Sequence, residues 1–123
     1  FVKHWMHTAL ISMDGQKMSK SLGNLVFVDA LREEYDPRSI RLAIIEHNYR
    51  VEWEWDDELM PRNKARLESW LANDASNLEL LGPVRERIDD DLDTPGALVA
   101  IDAAAAAGHG VREAAELLGV NFE

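Results

Sequence analysis

No cysteine occurs among the 123 residues, so neither a disulfide framework nor a thiolate metal site is available within the chain, and a cytoplasmic setting is expected. No apolar window is long enough for a membrane-spanning helix, and the first residues lack the charged-then-apolar pattern of a secretory leader. Basic charge is also scarce. Thirteen Lys and Arg stand against 23 Asp and Glu, a net charge of −10, whereas a surface that holds a nucleic-acid backbone needs clustered cations. No RNA platform is expected. Cations gather locally at Lys17 with Lys20 and again over residues 62–66.

What is present argues for a folded body. Four Trp, abundant Leu and Ala, and no long polar tract oppose disorder. The length suits one domain with a modest core. The chain opens on Phe1 within sequence that reads as structured, and is therefore expected to be a piece of a longer protein.

Residues 5–13 alternate as a short strand, and Asp14-Gly15 forms the turn that folds the chain back into residues 16–21. A short helix is expected near residues 25–35. Asp36-Pro37 then starts another over residues 37–48, with Asp as N-cap and Pro in the first turn. Residues 50–55 alternate charged and apolar groups but are too short and acidic to assign. Asp56 or Asp57 caps a longer helix whose apolar face runs from Leu59 to Leu81, with Gly82-Pro83 as its stop. Short helices follow over residues 84–91, from Thr94-Pro95 through residue 107, and over residues 111–118, broken by Gly108-His109-Gly110. The expected fold is mainly α, with an N-terminal β-hairpin and loop followed by a helical bundle. Its divisions are residues 1–24 (hairpin and loop), 25–82 (connecting helices) and 83–123 (a small helical region).

The sharpest local signal is Lys17-Met18-Ser19-Lys20-Ser21, followed by Leu22-Gly23-Asn24, directly after the hairpin. Two ammonium groups three residues apart on a loop can both reach the β- and γ-phosphates of a nucleotide, where charge grows as pyrophosphate departs. Lysine suits this because a point charge on a flexible stem follows a moving group. Ser19 and Ser21 offer hydroxyls and a small profile that lets backbone amides approach phosphate oxygens. Met18 would anchor the loop from below.

The pentapeptide is identified as the second signature of class I aminoacyl-tRNA synthetases. Trp5-Met6-His7, residues 36–41 with Arg50, and Asp89-Asp90-Asp91-Leu92-Asp93-Thr94-Pro95 resemble the cysteine-specific branch of that family. The branch contains cysteinyl-tRNA synthetase and the mycothiol-pathway ligases that join cysteine to the amine of glucosaminyl-inositol. Leu25-Val26-Phe27-Val28 and Glu52-Trp53-Glu54-Trp55 look more like the ligases. The acidic balance and the short tail after residue 95 point the same way.

The resemblance implies ATP with Mg²⁺ and cysteine as substrates, cysteinyl-adenylate as intermediate, and an aminosugar acceptor, with tRNA in its place if the chain is the synthetase. It implies catalytic roles for Lys17 and Lys20, and nucleotide contacts from Met18, Ser19, Ser21 and the backbone of Ile11. The zinc that selects cysteine would be held upstream of Phe1, so no metal site is expected here, and the isolated chain is expected to be inactive. The run over residues 89–93 reads as a helix-capping acidic segment in preference to a cation site. His7 reads as structural in preference to a substrate contact, and His4, His47 and His109 have no ligand-spaced partner. A competing reading is a helical interaction module that displays Trp53, Trp55 and Trp70. Residues 25–28 and 40–45 are candidates for an apolar face that another domain covers, or through which the chain self-associates.

Overall fold

The computed structural model describes residues 2–123. Three short strands are followed and interrupted by six α-helices. Strands β1 (Ile11–Met13) and β2 (Gln16–Lys17) form the hairpin, with Asp14 and Gly15 both at positive φ in its turn. Helices α1 (Val28–Glu34) and α2 (Pro37–Ile45) lead to β3 (Trp53–Glu54), which lies parallel to β1 with Ile11 opposite Trp53. The sheet order is therefore β2-β1-β3. Helices α3 (Leu59–Ala72), α4 (Leu81–Asp89), α5 (Thr94–Ala106) and α6 (Arg112–Leu117) complete the body. The mainly α architecture with an N-terminal hairpin is the one expected.

Several boundaries differ from the sequence reading. The first strand begins at Ile11, not at Trp5, although the Ala9 amide still donates to the Tyr49 carbonyl at 2.7 Å. Helix α2 stops at Ile45, short of residue 48, because Asn48 turns its carboxamide onto the Arg50 amide at 2.9 Å and competes with the helix for the backbone. The long helix expected up to Gly82 is two helices. Asn73 caps the first through its amide bond to the Trp70 carbonyl, and the polar run over residues 73–77 carries the chain into a 3₁₀ turn, Leu78–Leu80. Gly82-Pro83 then falls in the first turn of α4 and starts a helix where a stop was expected, since the missing Pro amide would be unpaired there anyway. The unassigned residues 50–55 supply β3.

Expected caps are present at two helices: Asp36 accepts from the Arg38 amide at 2.8 Å and Asp93 from the Gly96 amide at 3.0 Å. Gly110 is required by contact. A Cβ there would stand 2.2 Å from the Ala75 carbonyl oxygen, where the start of α6 docks on the break after α3.

Two apolar clusters share α2. Leu42 joins Leu67, Trp70, Leu98, Ile101 and Val111 in the larger one, while Ile40 and Ala43 join Leu59 and Met60 in the smaller, against which Trp53 and Trp55 pack. This packing decides against two of the competing readings. Trp70 is fully buried, its indole N–H bonded to Asp102 at 2.8 Å, so it is core and not a partner surface. Ile40, Leu42 and Ala43 are covered by this chain itself, and of the apolar residues in 40–45 only Ile44 is markedly exposed. Phe27 and Val28 do stay exposed, at 60% and 54%.

The helices are joined by one polar network. Glu46, just past α2, accepts from Arg62 at 2.6 Å, from Asn63 at 2.7 Å and from Arg66 at 2.9 Å, and Arg66 continues to Asp102 on α5 at 3.0 Å. The cations at residues 62 and 66 are thus committed to internal pairing. Burial alone would raise the Glu46 pKa, but the bonds from Arg62, Asn63 and Arg66 outweigh it and hold the carboxyl below its ordinary value of 4.5. A depressed folded value means that the unfolded chain binds the proton more readily, so this stabilisation is present at neutral pH and lost as pH falls below about 4.5. Glu46→Gln should cost about 1–3 kcal/mol at pH 7. In urea unfolding the gap from wild type should narrow at acid pH; an equal gap at both would refute the assignment.

Candidate nucleotide-phosphate loop

The loop grows out of the edge of the sheet. The Met18 amide donates to the Ile11 carbonyl at 2.9 Å, which carries the β1–β2 pairing one residue past Lys17. Among the described residues no return bond from the Ile11 amide to the Met18 carbonyl accompanies it. Strand β3 secures the other side of β1: the Trp53 amide donates to the Leu10 carbonyl at 3.3 Å and the Trp55 amide to Ser12 at 2.8 Å. Glu54 reaches around to accept from the Gly15 amide at 2.8 Å and fixes the hairpin turn.

Beyond β2, Ser19 is extended and the chain makes one 3₁₀ turn, Lys20–Leu22, closed by Gly23 at φ 67° with its amide on the Lys20 carbonyl. The turn places Asn24 beside the start of the loop. Its Oδ1 accepts from the Ser19 amide at 2.8 Å, and its Nδ2 donates to the Lys17 carbonyl at 3.2 Å. Lys17, Lys20 and Ser21 are exposed, while Met18 is half-buried as an anchor should be. Ser19 and Ser21 stand 3.3 Å apart through their hydroxyls. Among the described residues neither lysine forms a salt bridge. The arrangement offers two unpaired ammonium groups and a small hydroxyl pair on one exposed turn, a fit for a polyanion.

Behind β1 lies an apolar cavity of about 250 Å³, lined by Ala9, Ile11, Ile44, His47, Trp53 and Leu92 among others. His47 stacks on Trp53 with ring centroids 3.8 Å apart and 6° between planes, and its Nδ1 lies 3.0 Å from the Ala43 carbonyl, which makes Nδ1 the protonated nitrogen of the neutral ring. Burial pushes the His47 pKa below 6.5 against the opposing pull of Glu46. His7, by contrast, is exposed and stacks on Trp5 at 6.4 Å.

The acidic run divides its labour. Asp93 caps α5, while Asp91 accepts from Tyr49 at 2.7 Å and from Arg50 at 2.6 Å. Arg50 first, then Tyr49, lowers the Asp91 pKa. Asp91 and Leu92 adopt positive φ, at 51° and 57°, a conformation that costs free energy in non-glycine residues and is held here by that clamp. The residues present do not fit the zinc of the resembled branch. Cysteine is absent, and among the described residues no three His, Asp or Glu side chains converge.

Comparison with known proteins agrees with the loop. The family model of the tRNA synthetases class I (C) catalytic domain matches residues 1–65. Among curated relatives, L-cysteine:1D-myo-inositol 2-amino-2-deoxy-alpha-D-glucopyranoside ligase of Thermobispora bispora is 49% identical over 112 residues, 87% of this chain and 28% of the relative. The ligase of the same name from Parafrankia is 49% identical over 113 residues, 87% of this chain and 26% of its own length. That of Thermomonospora curvata is 48% identical over 124 residues, 92% and 30% respectively. The chain thus spans less than a third of the length of these relatives.

Sequence reasoning singled out residues 17–21 but overlooked Asn24, Glu54 and His47 as parts that hold the loop and its strand. Asn24 stood next to the motif, and only its side-chain geometry reveals its use. His47 should titrate below 6.5, the burial against Trp53 being the cause. An NMR titration of the ring protons checks this, and a midpoint at or above 6.5 would contradict the stacked, neutral ring.

Proposed function

The chain belongs to the family of class I (C) tRNA synthetase catalytic domains, and from that premise we propose that it is the C-terminal part of an ATP-dependent cysteine ligase. In this reading a cysteine carboxylate oxygen attacks the α-phosphorus of ATP, the bond to the β-phosphate breaks, and pyrophosphate leaves cysteinyl-AMP. The amine of the acceptor then attacks the activated carbonyl, and AMP departs. The observation that carries the proposal is the intact Lys-Met-Ser-Lys-Ser loop, with both lysines exposed and unpaired on a hairpin braced by β3.

Lys17 and Lys20 would meet the departing pyrophosphate, with Mg²⁺ as the counter-ion of the nucleotide. Ser19 and Ser21 would hydrogen-bond phosphate oxygens, and Met18 would seat the loop. The Ile11 amide, which makes no bond to the Met18 carbonyl, would be the backbone donor to the nucleotide base. Charge placed where it develops lowers the barrier, and losing one such donor costs about 10²–10³-fold in kcat.

For the acceptor, the names of the relatives support the amine of an aminoglucosyl-inositol, and so a place in mycothiol biosynthesis. The family model, named for tRNA synthetases, keeps cysteine tRNA as the second reading. Offering both acceptors to the full-length protein with cysteine and ATP separates them: transfer to the aminosugar supports the first, transfer to tRNA the second.

Lys17→Ala and Lys20→Ala in that protein should each reduce the kcat of cysteine-dependent ATP–pyrophosphate exchange by about 10²–10³-fold. Retention of wild-type kcat by both would remove the phosphate-loop role. The isolated 123-residue chain should show no exchange, because it spans less than a third of the length of the ligases it resembles. Measurable cysteine-dependent exchange by the chain alone would overturn this.

A further inference from the structure

We propose that Asn24 is a positioning residue that sets the path of the phosphate loop, an inference that rests on the phosphate-loop reading above. Strand β2 is the outer strand of the sheet, so its far side has no neighbour to pair its backbone groups. Met18 uses its amide inward, on Ile11. The two groups that point outward on either side of it are the Lys17 carbonyl and the Ser19 amide, and the Asn24 carboxamide takes both. One side-chain amide thereby does what a peptide group of a further strand would do, donating to one group and accepting from the other.

The residue type follows from that pairing. Asp offers two acceptors and would face the Lys17 carbonyl with a lone pair, Ser is too short to span both groups, and Ala pairs neither. Gly23 at positive φ turns the chain back so that Asn24 arrives in register. With residues 17–19 held extended and the 3₁₀ turn following at once, the stems of Lys17 and Lys20 leave fixed points on the backbone. The ammonium groups stay mobile while their origins do not. Displacements of about 1 Å in such origins are worth roughly 10²-fold in rate.

The consequence is a separation of effects. Asn24 is half-buried on a segment outside both apolar clusters. In the full-length ligase, Asn24→Ala should lower the kcat of cysteine-dependent ATP–pyrophosphate exchange about 10²-fold. The KM for cysteine and the thermal unfolding midpoint should stay at their wild-type values. Asn24→Asp, which keeps the acceptor for Ser19 but loses the donor to Lys17, should also lower kcat.

Lys17→Ala measured alongside separates the two ideas. If Lys17→Ala loses activity while both Asn24 variants keep wild-type kcat, the phosphate-loop reading stands and the positioning role is overturned. If Lys17→Ala itself keeps wild-type kcat, the underlying reading fails and the positioning role with it. A fall in kcat matched by a lowered unfolding midpoint in both Asn24 variants would make Asn24 merely structural and would also overturn the proposal.

Discussion

One carboxylate, Glu46, fixes where the helices of this chain meet its sheet. It sits where α2 ends, and its bonds to Arg62, Asn63 and Arg66 set the position of α3 against that end, while Arg66 and Trp70 extend the same network to Asp102 on α5. Such pairing is costly to assemble, because each charge gives up water, and it is stable only when the remaining lone pairs and protons are satisfied. Here the side chain of Glu46 is bonded at both oxygens. With the end of α2 held, His47 lies flat on Trp53 and Asn48 turns the chain into β3. Strand β3 then aligns β1, and β1 carries the loop. The loop geometry is therefore a consequence of helix packing on the far side of the sheet.

The Lys-Met-Ser-Lys-Ser loop could be singled out because its residues are consecutive and need no tertiary partner to be recognised. The caps at Asp36 and Asp93 were legible for the same reason: an N-cap and a nearby Pro act within one turn. Strand β3 was not, because two residues of pairing have no periodicity to detect, and the parallel register with β1 depends on a crossover through α1 and α2. The break after α3 was hidden by apolar residues that continue at helical spacing on both sides of it. Asn73, Asp74, Ser76 and Asn77 carried the signal, yet what fixes the break is a contact distant in sequence: the Asn73 and Ala75 carbonyls accept from the amides of Val111 and Arg112. The use of Asn24 lay beyond sequence reasoning for another reason. A carboxamide that bridges two backbone groups is defined by direction, and sequence spacing does not encode direction.

Charge distribution sharpens the character of the loop. The chain as a whole carries −10, and the hairpin turn itself is flanked by Asp14, Glu54, Asp56 and Asp57 around a shallow pocket. Most other cations whose contacts the structure defines are committed: Arg62 and Arg66 to Glu46, Arg50 to Asp91, Arg38 to Asp36, Arg112 to Asp74. A polyanion approaching this surface meets repulsion over much of it and attraction at Lys17 and Lys20. Exposed charges act only over a Debye length of about 8 Å at physiological salt, so the selectivity is local to the loop. On the proposed reading, the exposed lysine pair suits a small nucleotide better than a long nucleic-acid backbone, which would have to lie across the acidic remainder.

The way the loop is held also bears on whether it can move. Its inner side is tied to β1 by a backbone bond at Met18, whereas its outer side is tied by one side chain, through two bonds that are each worth about 1 kcal/mol net. A strand in place of Asn24 would add many cooperative bonds and lock the loop at the stability of the whole sheet. A single carboxamide sets one geometry firmly enough to populate it, yet leaves the segment near the low end of local stability, where ligand-closing loops must lie. On the proposed reaction, the outer tether thus orders the loop before ATP arrives, while the ammonium groups on their flexible stems follow the pyrophosphate as it forms.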